Sequence, residues 1–206
     1  KRGSRDIESC SLPHVRMIAQ EPHLRFITNL RDGKESGSYT IRSDLICRGG
    51  DKMRVTKYSV EIGTDGRNVL VKESARNCGE ISGGIDSKEK AKMLLDTMFQ
   101  ASYQAEEHIW LIALNTKLKP VGVFEVSHGT VDASIVRPRE IFVRLLLCGA
   151  TGFIIAHNHP SGDTTPSSED IDVTTRLSES AKIMGLRFLD HVILGNSVFS
   201  LLGQSI

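Results

Sequence analysis

The side chains of Gly152-Phe153-Ile154-Ile155-Ala156 carry no polar atom, and the chain then enters a dense polar stretch from His157 to Asp170. An apolar run this short falls far below the ~18–20 residues of a membrane-spanning helix and reads as a strand buried on both faces. A strand of that kind must be covered on each side, which points to a sheet flanked by helices. The polar stretch starts where the strand ends, the place where α/β sheets concentrate their ligand sites.

The neighbouring sequence supplies the cover. Asp86 and Glu89 stand three apart, as in a helix-opening capping pattern, and Ala91, Leu94, Leu95, Met98, Ser102 and Ala105 keep helical spacing to about Gln104. Residues 108–114 predict a strand, 115–119 a turn and 121–126 its partner. Pro138 opens a second helix that reaches Cys148 and stops at Gly149. A third helix spans about 168–184 before Gly185, and residues 187–194 and 197–201 form two closing strands around Gly195-Asn196. The order α-β-β-α-β-α-β-β over 86–206 describes an α/β domain whose mixed sheet is flanked by helices.

Residues 1–85 read as a small β-rich module of their own. Tyr58-Ser59-Val60-Glu61-Ile62 and Val69-Leu70-Val71 predict strands joined by a turn at Thr64-Asp65-Gly66-Arg67. Thr40-Ile41-Arg42 and Leu45-Ile46-Cys47 suggest a further strand, with loops at Arg31-Asp32-Gly33, Gly49-Gly50 and Gly83-Gly84. This part holds 15 Lys/Arg and 11 Asp/Glu against 11 and 14 in the remainder, within a chain of net charge +1. That contrast is too small to imply nucleic acid by itself. With 39% hydrophobic and 25% charged residues the chain is not a mainly disordered one. Cys10, Cys47, Cys78 and Cys148 include no C-x-x-C pair, which suits a reducing compartment rather than a disulfide framework. Lys1-Arg2-Gly3-Ser4-Arg5 is not followed by an apolar core, so no signal peptide is expected and the cytoplasm is the default location.

The chemistry lies in the polar stretch. His157 and His159, at i and i+2 on an extended segment, point the same way and can converge on one ion. Pro160, Gly162 and Pro166 turn the chain back, so that Asp170 in the first turn of the next helix can face them. Two histidines and one carboxylate leave a tetrahedral ion one position for water, the layout of a catalytic zinc site. Taken singly, each residue has a plainer role. Ser167 and Asp170 satisfy a capping box, and Asn158 and Asp163 are turn formers. A hydrolase also needs a base, for which Glu106 and Glu107 are available; spacing does not choose between them.

The stretch His157-Asn158-His159-Pro160-Ser161-Gly162-Asp163, continued by Pro166-Ser167-x-x-Asp170, resembles the signature of RadC-like proteins. These form the bacterial branch of the JAB/MPN metalloenzymes, with the JAMM motif E…H-x-H-x(7)-S-x-x-D. Gly129-Thr130, Pro138-Arg139-Glu140-Ile141-Phe142 and Leu189-Asp190-His191-Val192-Ile193 also look like that branch, so the resemblance covers residues 86–206. It implies a JAB/MPN-like (cytidine-deaminase-like) α/β fold in which His157, His159 and Asp170 bind Zn2+ and Ser167 helps to stabilise an oxyanion. In the family frame the motif glutamate is followed seven residues later by a Leu before the turn. Glu107 with Leu114 fits, whereas Glu106 is one residue out of register, so Glu107 becomes the general base. The implied activity is zinc-assisted hydrolysis of a peptide or isopeptide bond in a protein or peptide substrate. Asp190 and His191 either line the site, stand behind its ligands, or form a strand-buried hydrogen-bonded pair.

RadC proteins typically carry an N-terminal helix-hairpin-helix domain that grips DNA, and residues 1–85 show no such pattern. A second reading makes the chain a DNA repair or recombination protein that binds nucleic acid, its metal domain a scaffold or nuclease. A third, a non-catalytic interaction domain, fits less well because relatives of that kind lack the metal ligands. No membrane partner is expected.

Overall fold

A computed structural model describes residues 53–129 and 136–203, and in it the apolar run becomes the centre of a seven-stranded sheet. The elements follow in the order β1 (Arg54–Ile62), β2 (Asn68–Asn77), α1 (Lys88–Phe99), β3 (His108–Leu114), β4 (Pro120–His128), α2 (Pro138–Leu147), β5 (Gly152–Asn158), α3 (Ser168–Met184), β6 (Arg187–Leu194) and β7 (Val198–Ser200). The strands lie in the order β2-β1-β4-β3-β5-β6-β7. β5 runs antiparallel to β3 and parallel to β6, so the sheet is mixed, as expected.

The pleat of β5 sorts its side chains between two cores. Ile154 and Ala156 join Trp110, Ile112 and Leu114 beneath Ala91, Leu94, Leu95 and Met98 of α1. Phe153 and Ile155 face the other way with Leu111 and Ala113, beneath Ile141 and Leu145 of α2 and Val173 and Leu177 of α3. Every residue of β5 is buried, which is why its sequence shows no polar alternation before the histidines.

Helix α1 differs from expectation at both ends. Ser87, not Asp86, is its N-cap: Lys90 N donates to Ser87 Oγ at 3.2 Å, while Asp86 pairs with the Lys90 ammonium. The helix stops at Phe99 rather than near Gln104, because Gln100 turns left-handed with φ 55° and donates to Asp96 O. Ser102 N then bonds Asp96 Oδ1 at 2.8 Å within a single 3-10 turn. That turn continues the helical spacing of the sequence without continuing the helix.

The hairpin of β1 and β2 is part of the same sheet. Lys57 of β1 pairs with Val123 of β4 in parallel, and Val55, Cys78 and Ile81 sit in the buried cluster that holds Leu94 and Trp110. The boundary drawn at residue 85 therefore falls inside one sheet and one core. Both strands outrun their apolar segments. Lys72-Glu73-Ser74-Ala75-Arg76 follows the ladder as a largely exposed, charged edge that shields its open side from further pairing. The expected strand at 40–47, the loops at 31–33 and 49–50, and Thr130 lie outside the described residues. Among the described residues no helix is long and apolar enough to cross a membrane.

Candidate metal centre

Three local devices bring the polar groups together. The first is the end of β5, where His157 is 2% exposed and lies on the face covered by α2 and α3. His159 keeps the extended path, its N–H donating to Leu194 O at the end of β6 (2.8 Å). The second is the return loop. Gly162 adopts φ +82°, and a Cβ there would stand 2.6 Å from Asn196 Nδ2, so the loop seats against the β6–β7 turn only as glycine. Asp163 is the expected turn former, its Oδ1 accepting from Thr165 N and Oγ1. The third is the capping box of α3: Asp170 N donates to Ser167 Oγ (3.1 Å) and Ser167 N to Asp170 Oδ2 (2.9 Å).

The result is a tight convergence. His157 Nε2 lies 3.0 Å from His159 Nε2 and 3.1 Å from Asp170 Oδ1, and His159 Nε2 is 3.7 Å from Asp170 Oδ2. His159 Nδ1 approaches the Asp163 carbonyl at 2.6 Å; a carbonyl only accepts, so Nδ1 carries the proton and Nε2 offers a lone pair. Two ring nitrogens and a carboxylate so close are mutually repulsive unless a positive charge, a proton or a cation, lies among them. Burial opposes ionisation of Asp170, yet the adjoining His157 and the Ser167 hydrogen bonds outweigh it and hold the carboxyl well below the usual range. Two imidazoles and a carboxylate could hold a metal ion, and zinc is among the ions that such donors suit.

The sequence matches the family model described as "RadC-like JAB domain" over residues 85–206. The chain belongs to the RadC-like JAB domain family. It is 36% identical over 194 residues to a UPF0758 protein of Caldanaerobacter subterraneus subsp. tengcongensis, covering 94% of this chain and 76% of that one. UPF0758 proteins of Desulforudis audaxviator and Clostridium tetani are 40% and 41% identical over 131 and 121 residues. Those alignments cover 64% and 59% of this chain, and it spans about half the length of these two relatives, 56% and 52%.

Within this RadC-like JAB domain the expected site residues are not all equally engaged. His157, His159, Asp170 and Ser167 meet, and the Ser167 hydroxyl donates to Asp170 Oδ2 at 2.7 Å, which commits its proton to the carboxylate. Glu107, half-buried, immediately precedes β3. Ile109 pairs with His157, so counting back two residues sets Glu107 level with His159 on the site face and turns the exposed Glu106 away. No hydrogen bond or ion pair among the described residues ties down the Glu107 carboxylate.

Asp190 and His191 part company across β6. Asp190 Oδ1 accepts from His191 N and Leu202 N, and its burial pushes the carboxyl up. His191 Nε2 instead lies 2.9 Å from His157 Nδ1, behind the cluster of His157, His159 and Asp170. Burial drives His191 down to about 3, so the ring is neutral.

Two residues were not foreseen in their roles. Asn158 is not a turn former: it ends β5, accepts from His108 N at 2.7 Å and donates to Glu106 O at 2.9 Å, gripping the chain on both sides of Glu107. Thr174 touches both Asp170 O and His191 Nδ1 at 2.6 Å. Its one sequence signal is the spacing of four from Asp170, which places it on the same helix face.

Proposed function

We propose that this chain is a zinc-dependent metallopeptidase-type hydrolase that cleaves a peptide or isopeptide bond in a protein or peptide substrate. The observation that carries the reading is the convergence of His157 Nε2, His159 Nε2 and Asp170 at the C-terminal end of the central strand. Three protein ligands make an open site, whereas structural zinc sites are closed by four.

A zinc ion held by these residues supplies Lewis acidity to a carbonyl oxygen and brings the pKa of a water down to ~7. Glu107 takes the proton of the attacking water and passes it to the leaving amine, a role worth about 10²–10⁴-fold in rate. Its freedom from other partners among the described residues suits a group that must accept a proton and release it. Ser167 orients Asp170 first; donation to a developing oxyanion requires its hydroxyl to rotate off the carboxylate. Ile109, Val136, Ile155 and Val173 line the apolar side of a small cavity at His157 and Asp170, and apolar walls strengthen charge interactions at the site.

The test couples metal content to turnover. Elemental analysis of the chain should find about one zinc, as expected of a three-ligand site, and exchange of both His157 and His159 for Ala should remove it. Glu107→Gln should keep the metal and lose cleavage of a peptide library scored by mass spectrometry. A zinc-loaded wild type whose peptide products match those of Glu107→Gln refutes the peptidase reading.

A further inference from the structure

We propose that Thr174 and His191 are positioning residues that lock His157 into the tautomer able to bind a cation, through hydrogen bonds that start at the backbone of a second ligand, Asp170. The proposal rests on the metal reading of the site and concerns what prepares it.

The direction of the chain is fixed at its origin. Thr174 Oγ1 lies 2.6 Å from the Asp170 carbonyl, one turn earlier in α3. Two oxygens that close need a hydrogen between them, and a carbonyl has none to give, so the Thr174 hydroxyl donates. The same Oγ1 lies 2.6 Å from His191 Nδ1. Its only proton already points at Asp170, so Oγ1 accepts and His191 Nδ1 carries the hydrogen. His191 is 3% exposed, and the polar atoms its ring meets are the Thr174 hydroxyl and His157 Nδ1. A neutral ring with Nδ1 protonated has a bare Nε2, and that lone pair stands 2.9 Å from His157 Nδ1. His157 Nδ1 therefore donates, and once a cation takes the place of any proton among the ligands, the lone pair His157 offers it is that of Nε2, the nitrogen facing His159 and Asp170.

His159 reaches the same state by a shorter route, from Nδ1 to the Asp163 carbonyl. The two ligands thus differ in how their tautomers are set: one directly by a loop carbonyl, the other by a buried relay through two side chains. The relay also joins helix to strand. Thr174 fixes Asp170 from behind while His191 fixes His157, so the groups that must meet are held by one chain of contacts. Partners of this kind, standing behind the ligands, typically change metal affinity by about 10–100-fold when removed.

The experiment uses the whole chain loaded with zinc. Thr174→Val keeps the shape and removes the hydroxyl; Thr174→Ser restores it without the methyl. Zinc affinity is read by chelator competition, and the protonated nitrogen of His157 by long-range 1H–15N NMR. Thermal melts of the metal-free variants confirm that each folds. Thr174→Val should bind zinc about 10–100-fold more weakly and lose the single, slowly exchanging Nδ1 proton signal of His157, and Thr174→Ser should recover both. Equal affinity and an unchanged His157 signal in Thr174→Val overturn the relay and leave the metal reading standing. Equal losses in Val and Ser also overturn it, because packing then explains the effect. Failure of the wild type to take up zinc overturns the metal reading itself.

Discussion

Asn158→Ala loosens the backbone on both sides of Glu107, the proposed base, without removing His157, His159 or Asp170. Asn158 is 3% exposed, and its amide makes two short bonds, 2.7 Å from His108 N and 2.9 Å to Glu106 O, with a longer one of 3.4 Å to Gln104 O. Removing a side chain that satisfies a buried backbone group costs about 1–3 kcal/mol per group. Glu106 is exposed and its carbonyl can regain a water, so the cost falls mainly on the His108 amide, and about 2–3 kcal/mol in all is expected. For a domain of this size that lowers Tm by roughly 4–12 °C. The decisive assay is hydrogen exchange. The His108 amide should be protected in the wild type and exchange rapidly in Asn158→Ala, while amides in the middle of β3 stay protected. Zinc stoichiometry should not change, but cleavage should fall about 10²-fold or more, the typical result of a 1 Å displacement of a catalytic group. A His108 amide that stays protected in the variant refutes the clamp.

Other perturbations read the same construction. Ser167→Ala removes the N-cap of α3 and should cost about 1 kcal/mol in urea denaturation, with a measurable fall in zinc affinity because Asp170 Oδ2 loses its hydroxyl donor; an unchanged affinity would show that the backbone half of the box suffices. Gly162→Ala meets both a left-handed φ and the Asn196 side chain, so a loss of about 1–3 kcal/mol with displaced resonances at Asn196 is expected, and a neutral effect would count against the loop seat. Asp190→Asn keeps an Oδ1 acceptor for the His191 and Leu202 amides but removes a buried carboxyl whose pKa is raised by burial. The folded carboxyl releases its proton at a higher pH than the unfolded one, which does so near ~3.9. Wild-type stability therefore declines relative to the variant as pH rises above 4, by up to about 1.4 kcal/mol per unit, until the folded carboxyl ionises. A stability difference between the two that stays flat from pH 4 to 7 would exclude the effect.

What the sequence revealed and what it hid follow one physical division. β5 was legible because burial on both faces leaves an uninterrupted apolar run, and α3 because Ser167 and Gly185 mark its ends. The cluster of His157, His159 and Asp170 was legible because its donor atoms come from few residue types. β1 and β2 were only half visible, since an edge strand buries little and its charged half carries no alternation. Their membership in the main sheet depends on pairing with β4, far along the chain, which no local pattern records. The end of α1 was hidden because Gln100 in a left-handed conformation leaves no glycine to announce it. Asn158 and Thr174 were hidden for another reason: both act on backbone atoms or on a ring more than fifteen residues away, and a threonine inside a helix is otherwise unremarked.

Capping and catalysis looked like competing explanations of Ser167 and Asp170 in the sequence, and in the structure the same atoms serve both. Asp170 divides its carboxylate: Oδ2 closes the capping box with Ser167 N and Oγ, while Oδ1 is left 3.1 Å from His157 Nε2. A helix start that must satisfy its own amides thereby fixes the rotamer of Asp170, and the positive end of the helix dipole helps to keep its carboxylate ionised. The box thus supplies a reason for a serine three residues before the aspartate that does not depend on oxyanion contact at all. Among the described residues the Glu107 side chain has no comparable anchor; its backbone is held by Gly129 N, which donates to Glu107 O at 3.0 Å, and by Asn158 on either side. His157, His159 and Asp170 are thus held by their own hydrogen bonds and Glu107 by its backbone, a division that suits the proposed roles of ligand and base.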